Sequence, residues 1–140
     1  MTTEAAQEIG ITIYGQNSTS ANALKVYRQD WFDEGFGFAI EAVSDVKPDQ
    51  AQLWLKLTGY WCPQPGDYLL SNEDQDEKPH ILIEFGYFGH TIKAIEAGTF
   101  ELHTIDYEKR SLTGRFEFPV ELDNAGFDIE SWDFDVAAHT

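Results

Sequence analysis

Apolar and polar residues alternate with a period of two along most of this chain, the pattern of strands that bury one face and wet the other. "GITIYG" sets Ile11 and Ile13 on one side, "ALKVYRQDW" sets Leu24 and Val26, and "FGFAIEAV" sets Phe36, Phe38, Ile40 and Ala42. "AQLWLKLTG" places Leu53, Leu55 and Leu57 opposite Gln52, Trp54, Lys56 and Thr58, and "HILIEFGYF" groups Ile81, Ile83 and Phe85. "GDYLLS" reads as a short strand. "GTFELHTID" groups Phe100 with Leu102, and "GRFEFPVEL" alternates without a break through Phe116, Phe118, Val120 and Leu122. Pro119 in the middle of that run cannot donate to a ladder, so the strand is expected at an edge or with a bulge there. In "GFDIESWDFDV" the apolar phase changes after Ile129, and a bulge near Glu130 and Ser131 is expected to return Trp132, Phe134 and Val136 to the core.

Helix signals are few: "HTIKAIEAG" could form one or two turns ended by Gly98, and "PDQAQLWL" could begin helically. The predicted fold is all-β, an antiparallel meander of about eight or nine strands forming a sandwich or closed barrel, with at most one short helix. Residues 1–140 read as a single β domain. Residues 1–9 and 137–140 are expected to be flexible, and the acidic run 71–79, "SNEDQDEKP", to be a mobile loop. Between the seventh and eighth apolar runs, "DYEKRSLTG" reads as a hairpin turn whose Lys109, Arg110 and Arg115 offset Asp106, Glu108 and Glu117.

Composition agrees with a packed core. Twenty aromatic residues, 14% of the chain, argue against disorder, and 140 residues suffice to bury roughly 68% of the unfolded surface. Charge adds more: 25 acids against nine Lys and Arg leave a formal net charge of −16. Such a field repels phosphate backbones and attracts basic partners, so direct nucleic-acid binding is not expected. Excess acid also serves plain solubility. The single cysteine, Cys62, excludes an intrachain disulfide and a thiolate zinc cluster. "MTTEAAQEIG" has neither a basic nor an apolar export-type region, and no run approaches ~20 apolar residues, so a cytoplasmic protein without a membrane partner is expected.

The order "GDYLLS", "GTFELHTIDYEKRSLTGRFEF" and "GFDIESWDF" resembles the C-terminal half of a family of uncharacterised bacterial lipocalin-like β domains. Asp106 ends a strand, Thr113, Gly114, Phe116 and Phe118 form the Ser/Thr-Gly-x-Phe-x-Phe run, and Gly126 and Phe127 open the closing strand. The resemblance implies a fold and carries no activity.

No nucleophile-elbow, phosphate-loop or dinucleotide signature is present. The four histidines are scattered, and "NEDQDEK" lacks the order of a calcium loop, so neither a metal nor a cofactor is expected. Asp133 with Asp135, and Asp128 with Glu130, stand about 6.6 Å apart along a strand face, a spacing open to glycoside hydrolysis or to a solvated acidic ladder. The ladder is the expected reading, and Cys62 is expected as a small, semi-buried residue at a strand end.

Phe116 to Thr140 contain seven acids and no Lys or Arg. Paired strands with opposed like charges are destabilised, which favours a positive surface as an occasional cover. A non-enzymatic binding protein is therefore expected, an immunity or inhibitor protein for a basic toxin or nucleic-acid-handling enzyme, with nucleic-acid mimicry as one form of it. Its contact residues would be Glu117, Glu121, Asp128, Glu130, Trp132, Asp133 and Asp135. The alternative is a lipocalin-like carrier holding a small apolar ligand near Trp54, Trp61 and Phe88.

Overall fold

Ten strands account for the alternating runs: β1 Glu8–Tyr14, β2 Thr19–Trp31, β3 Gly37–Val43, β4 Leu53–Tyr60, β5 Gly66–Ser71, β6 His80–Tyr87, β7 Gly98–Asp106, β8 Ser111–Leu122, β9 Ala125–Ser131 and β10 Phe134–Ala137. The structure, a computed structural model, describes residues 7–15, 19–32, 37–45, 52–71, 78–87 and 98–137. Among these there is no helix; Leu53 onward is strand, and 48–51, where "PDQAQLWL" could begin helically, lie outside the described residues, as do 90–97. The same holds for Phe88, for 1–6 and 138–140, and for 72–77 of the acidic loop.

The strands form one sheet in the order β10-β8-β7-β5-β6-β4-β3-β2-β1-β9, and β9 pairs back onto β8 to close a ring. Strand β8 is long enough to serve two neighbours on that side. Its first residues, Ser111 to Gly114, pair with β10 and its last, Glu117 to Leu122, pair with β9. The ring departs from a simple meander at one place: β6 lies between β4 and β5, so that β5 and β6 run parallel through Leu70 with Ile81 and Ser71 with Leu82.

Register sends the apolar parity of every strand inward. Ile40 faces Leu57, Leu57 faces Ile83, and Ile129 faces both Phe118 and Ile13 across its two neighbours. The interior is occupied by rings: Phe116 stacks at 6.3 Å on Phe100 and at 5.9 Å on Phe118, while Phe134 meets both Phe100 and Phe116 edge-on at 6.0 Å. Each fully buried side chain of this kind contributes about 1.5–3 kcal/mol. Buried apolar side chains from all ten strands form one core inside the ring, and the opposite parity makes its outer wall.

Three bulges shape that wall. Between Glu117↔Glu130 and Gly114↔Phe134, β8 advances three positions while β9 and β10 advance four. The extra residue restores the phase, but later than the sequence suggests. Ser131 stays buried, Trp132 and Asp133 both point outward, and Phe134 and Val136 return to the core. Trp132 is thus a wall residue, a correction to its expected core position. Tyr27 and His103 mark similar register shifts in β2 and β7. Past Tyr27, Gln29 and Trp31 take up the register of the inward-facing Ile40 and Phe38.

At the end where β10 stops, the Gln7 side chain stands in for a strand. Its Oε1 accepts from Ala137 N at 2.7 Å and its Nε2 donates to Ala137 O, which also accepts from Gln29 Nε2 at 3.0 Å. Ile9 is wholly buried, so residues 7–9 and Ala137, expected to be loose, are built into the ring. Pro119 pairs with Asp128 of β9, and among the described residues the register with β7 runs no further than Thr99 and Glu117.

Candidate functional site: an acidic outer wall

Because even-numbered residues of β8 face the core, Glu117, Pro119 and Glu121 face out. In β9 the outward positions are Asp128 and Glu130, and after the bulge they are Asp133 and Asp135. All six acids expected in the site are exposed on one wall. Register places Glu117 directly opposite Glu130 and Pro119 opposite Asp128, while on the other flank of β9 Thr12 faces Glu130 and Tyr14 faces Asp128. Tyr14, Glu117, Pro119, Asp128 and Glu130 line a groove of about 520 Å³. A smaller recess of about 230 Å³ adjoins it, shares Glu117 and Glu130, and continues to Thr99, Glu101 and Arg115.

Trp132 closes one flank of this wall. Its backbone N–H donates to Gly10 O at 2.8 Å and its indole Nε1 donates to Thr12 Oγ1 at 2.9 Å. One indole face covers Gly10, whose missing side chain makes the room; the residue is still 54% exposed. Tyr14, 42% exposed, stands near the opposite end of β1's outer face. Two aromatic surfaces therefore bracket the carboxylates, the composition that interface anchors favour.

Strands β7 to β10 hold one cation, Arg115. It is not at the hairpin turn, as its sequence neighbourhood suggests, but four residues up β8, opposite Glu101. Its Nε donates to Glu101 Oε2, with Nη2 at 3.5 Å from Oε1, and His103 Nε2 lies 3.5 Å from the same carboxylate. The hydrogen bond from Arg115 holds the Glu101 carboxyl below its ordinary range, with a lesser contribution from His103 and burial opposing. Glu101 in turn raises Arg115, which also senses Asp133 and Glu117. Lys109 and Arg110 do sit in the turn, where Lys109 N donates to Asp106 Oδ1 at 3.0 Å and Arg110 takes a left-handed φ of 55°.

No family model, curated protein or solved structure matches this chain.

Of the residues expected around an apolar ligand, the two described, Trp54 and Trp61, do not converge. Trp54 lies on the outer wall across Gly86, its Nε1 donating to Tyr27 Oη at 2.9 Å. Trp61 follows the far end of β4, seven residues or about 23 Å along the strand. Phe88 is outside the described residues. The carboxylate pairs Asp128 with Glu130 and Asp133 with Asp135 stand exposed, whereas a catalytic acid needs burial to hold its proton. Among the described residues no group of three His, Cys, Asp or Glu could hold a metal ion, and no helix is long and apolar enough to cross a membrane.

Cys62 is half-buried in the loop after β4, where it and Trp61 take left-handed φ values of 54° and 62°. The loop is held by Tyr107, whose hydroxyl donates to Pro63 O at 2.6 Å. Burial, then the neighbouring Cys62 and Tyr68, push the Tyr107 phenol well above its ordinary range.

Sequence reasoning missed Tyr14 and Pro119 as groove residues and Glu101 as the partner of Arg115. Tyr14 has the outward parity of its strand, and that signal was available; which strand lies beside it was not.

Proposed function

We propose that this protein is a non-enzymatic binding module whose acidic outer wall docks on a basic protein, as an immunity or inhibitor protein docks on a toxin or nucleic-acid-handling enzyme. The observation that carries this reading is the opposition of Glu117 and Glu130 in a groove that Tyr14 also lines, with the exposed Trp132 on the same wall. Opposed like charges cost folding stability, and a cationic side chain inserted between them removes that cost on binding. A desolvated groove with aromatic flanks supplies affinity, and the net charge of −16 supplies steering. Nucleic-acid mimicry is a special case of this reading, in which the partner's own phosphate site is the basic surface.

The test is capture of partners from lysate of the source cell at low and high salt, followed by association kinetics with the partner found. The association rate is expected to fall steeply with ionic strength and to drop further in Glu117→Gln/Glu130→Gln. A salt-independent rate, unaffected by that double substitution, would remove the reading.

A second reading, carriage of a small apolar ligand, draws on a recess of about 320 Å³ at the opposite rim, lined in part by Ile13, Tyr87, Leu122 and Phe127. Native mass spectrometry of the purified protein distinguishes the two, since a retained small molecule supports only the second.

A further inference from the structure

Arg115 is the one cation on strands β7 to β10, and it stands between carboxylates on three sides. Glu101 is its partner across the β7 ladder, Glu117 is two residues along its own strand, and Asp133 lies at the bulge on the other flank. Electrostatics alone would let it serve any of them. It is bonded to Glu101 through Nε, with Nη2 beside the second oxygen, and so is drawn toward β7 and away from the opposed pair Glu117 and Glu130. The recess that Arg115 and Glu101 line also contains Glu117 and Glu130, so the guanidinium has a short path to them.

From this geometry we infer that Glu101 is a positioning residue: it holds Arg115, the one cation of strands β7 to β10, off the Glu117 and Glu130 pair. Without Glu101, Arg115 turns along β8 and neutralises the centre of the acidic wall from within. That this restraint serves partner docking rests on the function proposed above; the restraint itself does not.

The test needs no partner. Carboxyl carbon resonances of Glu117 and Glu130 are recorded by NMR at neutral pH in four proteins: the parent, Glu101→Gln, Arg115→Gln and the double variant. Removing the charge at Glu101 moves both resonances slightly by itself, so the quantity read is the difference between backgrounds. The change caused by Glu101→Gln is expected to be larger when Arg115 is present than when Gln replaces it. The Arg115 Nε–H resonance should move in Glu101→Gln and move again when Glu117→Gln is added. An equal change in both backgrounds, or an Arg115 resonance indifferent to Glu117, overturns the inference. Neither result bears on whether a basic partner binds, so this inference and the docking function fail separately.

Discussion

The indole of Trp132 lies across the bare Cα of Gly10, near enough that a Cβ built on Gly10 would stand 2.7 Å from the indole Cδ2. Glycine inside a strand is ordinarily a weakness, and an aromatic ring laid over it offsets the loss. Substituting valine, a good strand former, should here be harmful. Gly10→Val is expected to lift the indole off the wall, break its bond to Thr12 and destabilise the protein by about 1–3 kcal/mol. Urea denaturation followed by tryptophan emission checks this; an unchanged midpoint would show that the ring does not need the vacancy.

Ser131 repairs the ladder at the bulge beside Trp132. The buried Phe116 N–H donates to Ser131 Oγ at 2.7 Å instead of to a strand carbonyl. Ser131→Ala leaves that donor without a partner, at a cost of about 1–3 kcal/mol. Hydrogen exchange at the Phe116 amide should accelerate more than at Phe118, and equal acceleration of both would point to global loosening instead.

Glu117 and Glu130 face each other across β8 and β9, so neutralising one should help folding. Glu117→Gln is expected to raise stability by roughly 0.2–1 kcal/mol while slowing association with a basic partner. Thermal denaturation in low salt measures the first effect. If stability falls, the pair is not repulsive and the argument for a counter-ion in the groove fails with it.

Tyr107 sets the alkaline limit of one loop. Its folded-state pKa lies above the unfolded value, so its contribution is fully present below about pH 10 and is lost as pH rises through the folded value. Stability of the parent should therefore decline more steeply above pH 10 than that of Tyr107→Phe, although the variant starts lower for want of the bond to Pro63 O. Denaturation midpoints across about pH 9 to 11.5 test the slope, and parallel curves would count against a buried phenol.

Gln7 closes the gap between β1 and β10 by side chain alone, bonding both N and O of Ala137. Gln7→Ala is expected to cost about 1–2 kcal/mol and to speed exchange at Ala137. Gln7→Glu keeps the acceptor and loses the donor, so its loss should be intermediate; a silent Gln7→Ala would mean that β10 is held by β8 and packing without it.

Strand identity was legible because inward residues such as Leu53, Leu55 and Leu57 repeat every second position over runs too long for chance. Order around the ring was not, since nothing local to "GDYLLS" shows that His80–Tyr87 slips in beside it. The acids of the wall were legible for the same reason as the core: fixing one parity fixes the other. Trp132 was misassigned because a change of phase shows that a bulge exists and not which residue it expels. Arg115 was misread because its nearest acid in sequence, Glu117, is not its bonded partner; cross-strand register brings it Glu101.

The seam of the ring joins β1 to β9, and its indole clasp bonds residues 120 positions apart, Thr12 and Trp132. During synthesis the free side of β1 therefore waits, unpaired, until β9 has left the ribosome. A bare strand edge of that kind invites pairing with other chains. Closure across so long a separation is slow, and the net charge of −16 sets copies of the chain against one another while that edge is open.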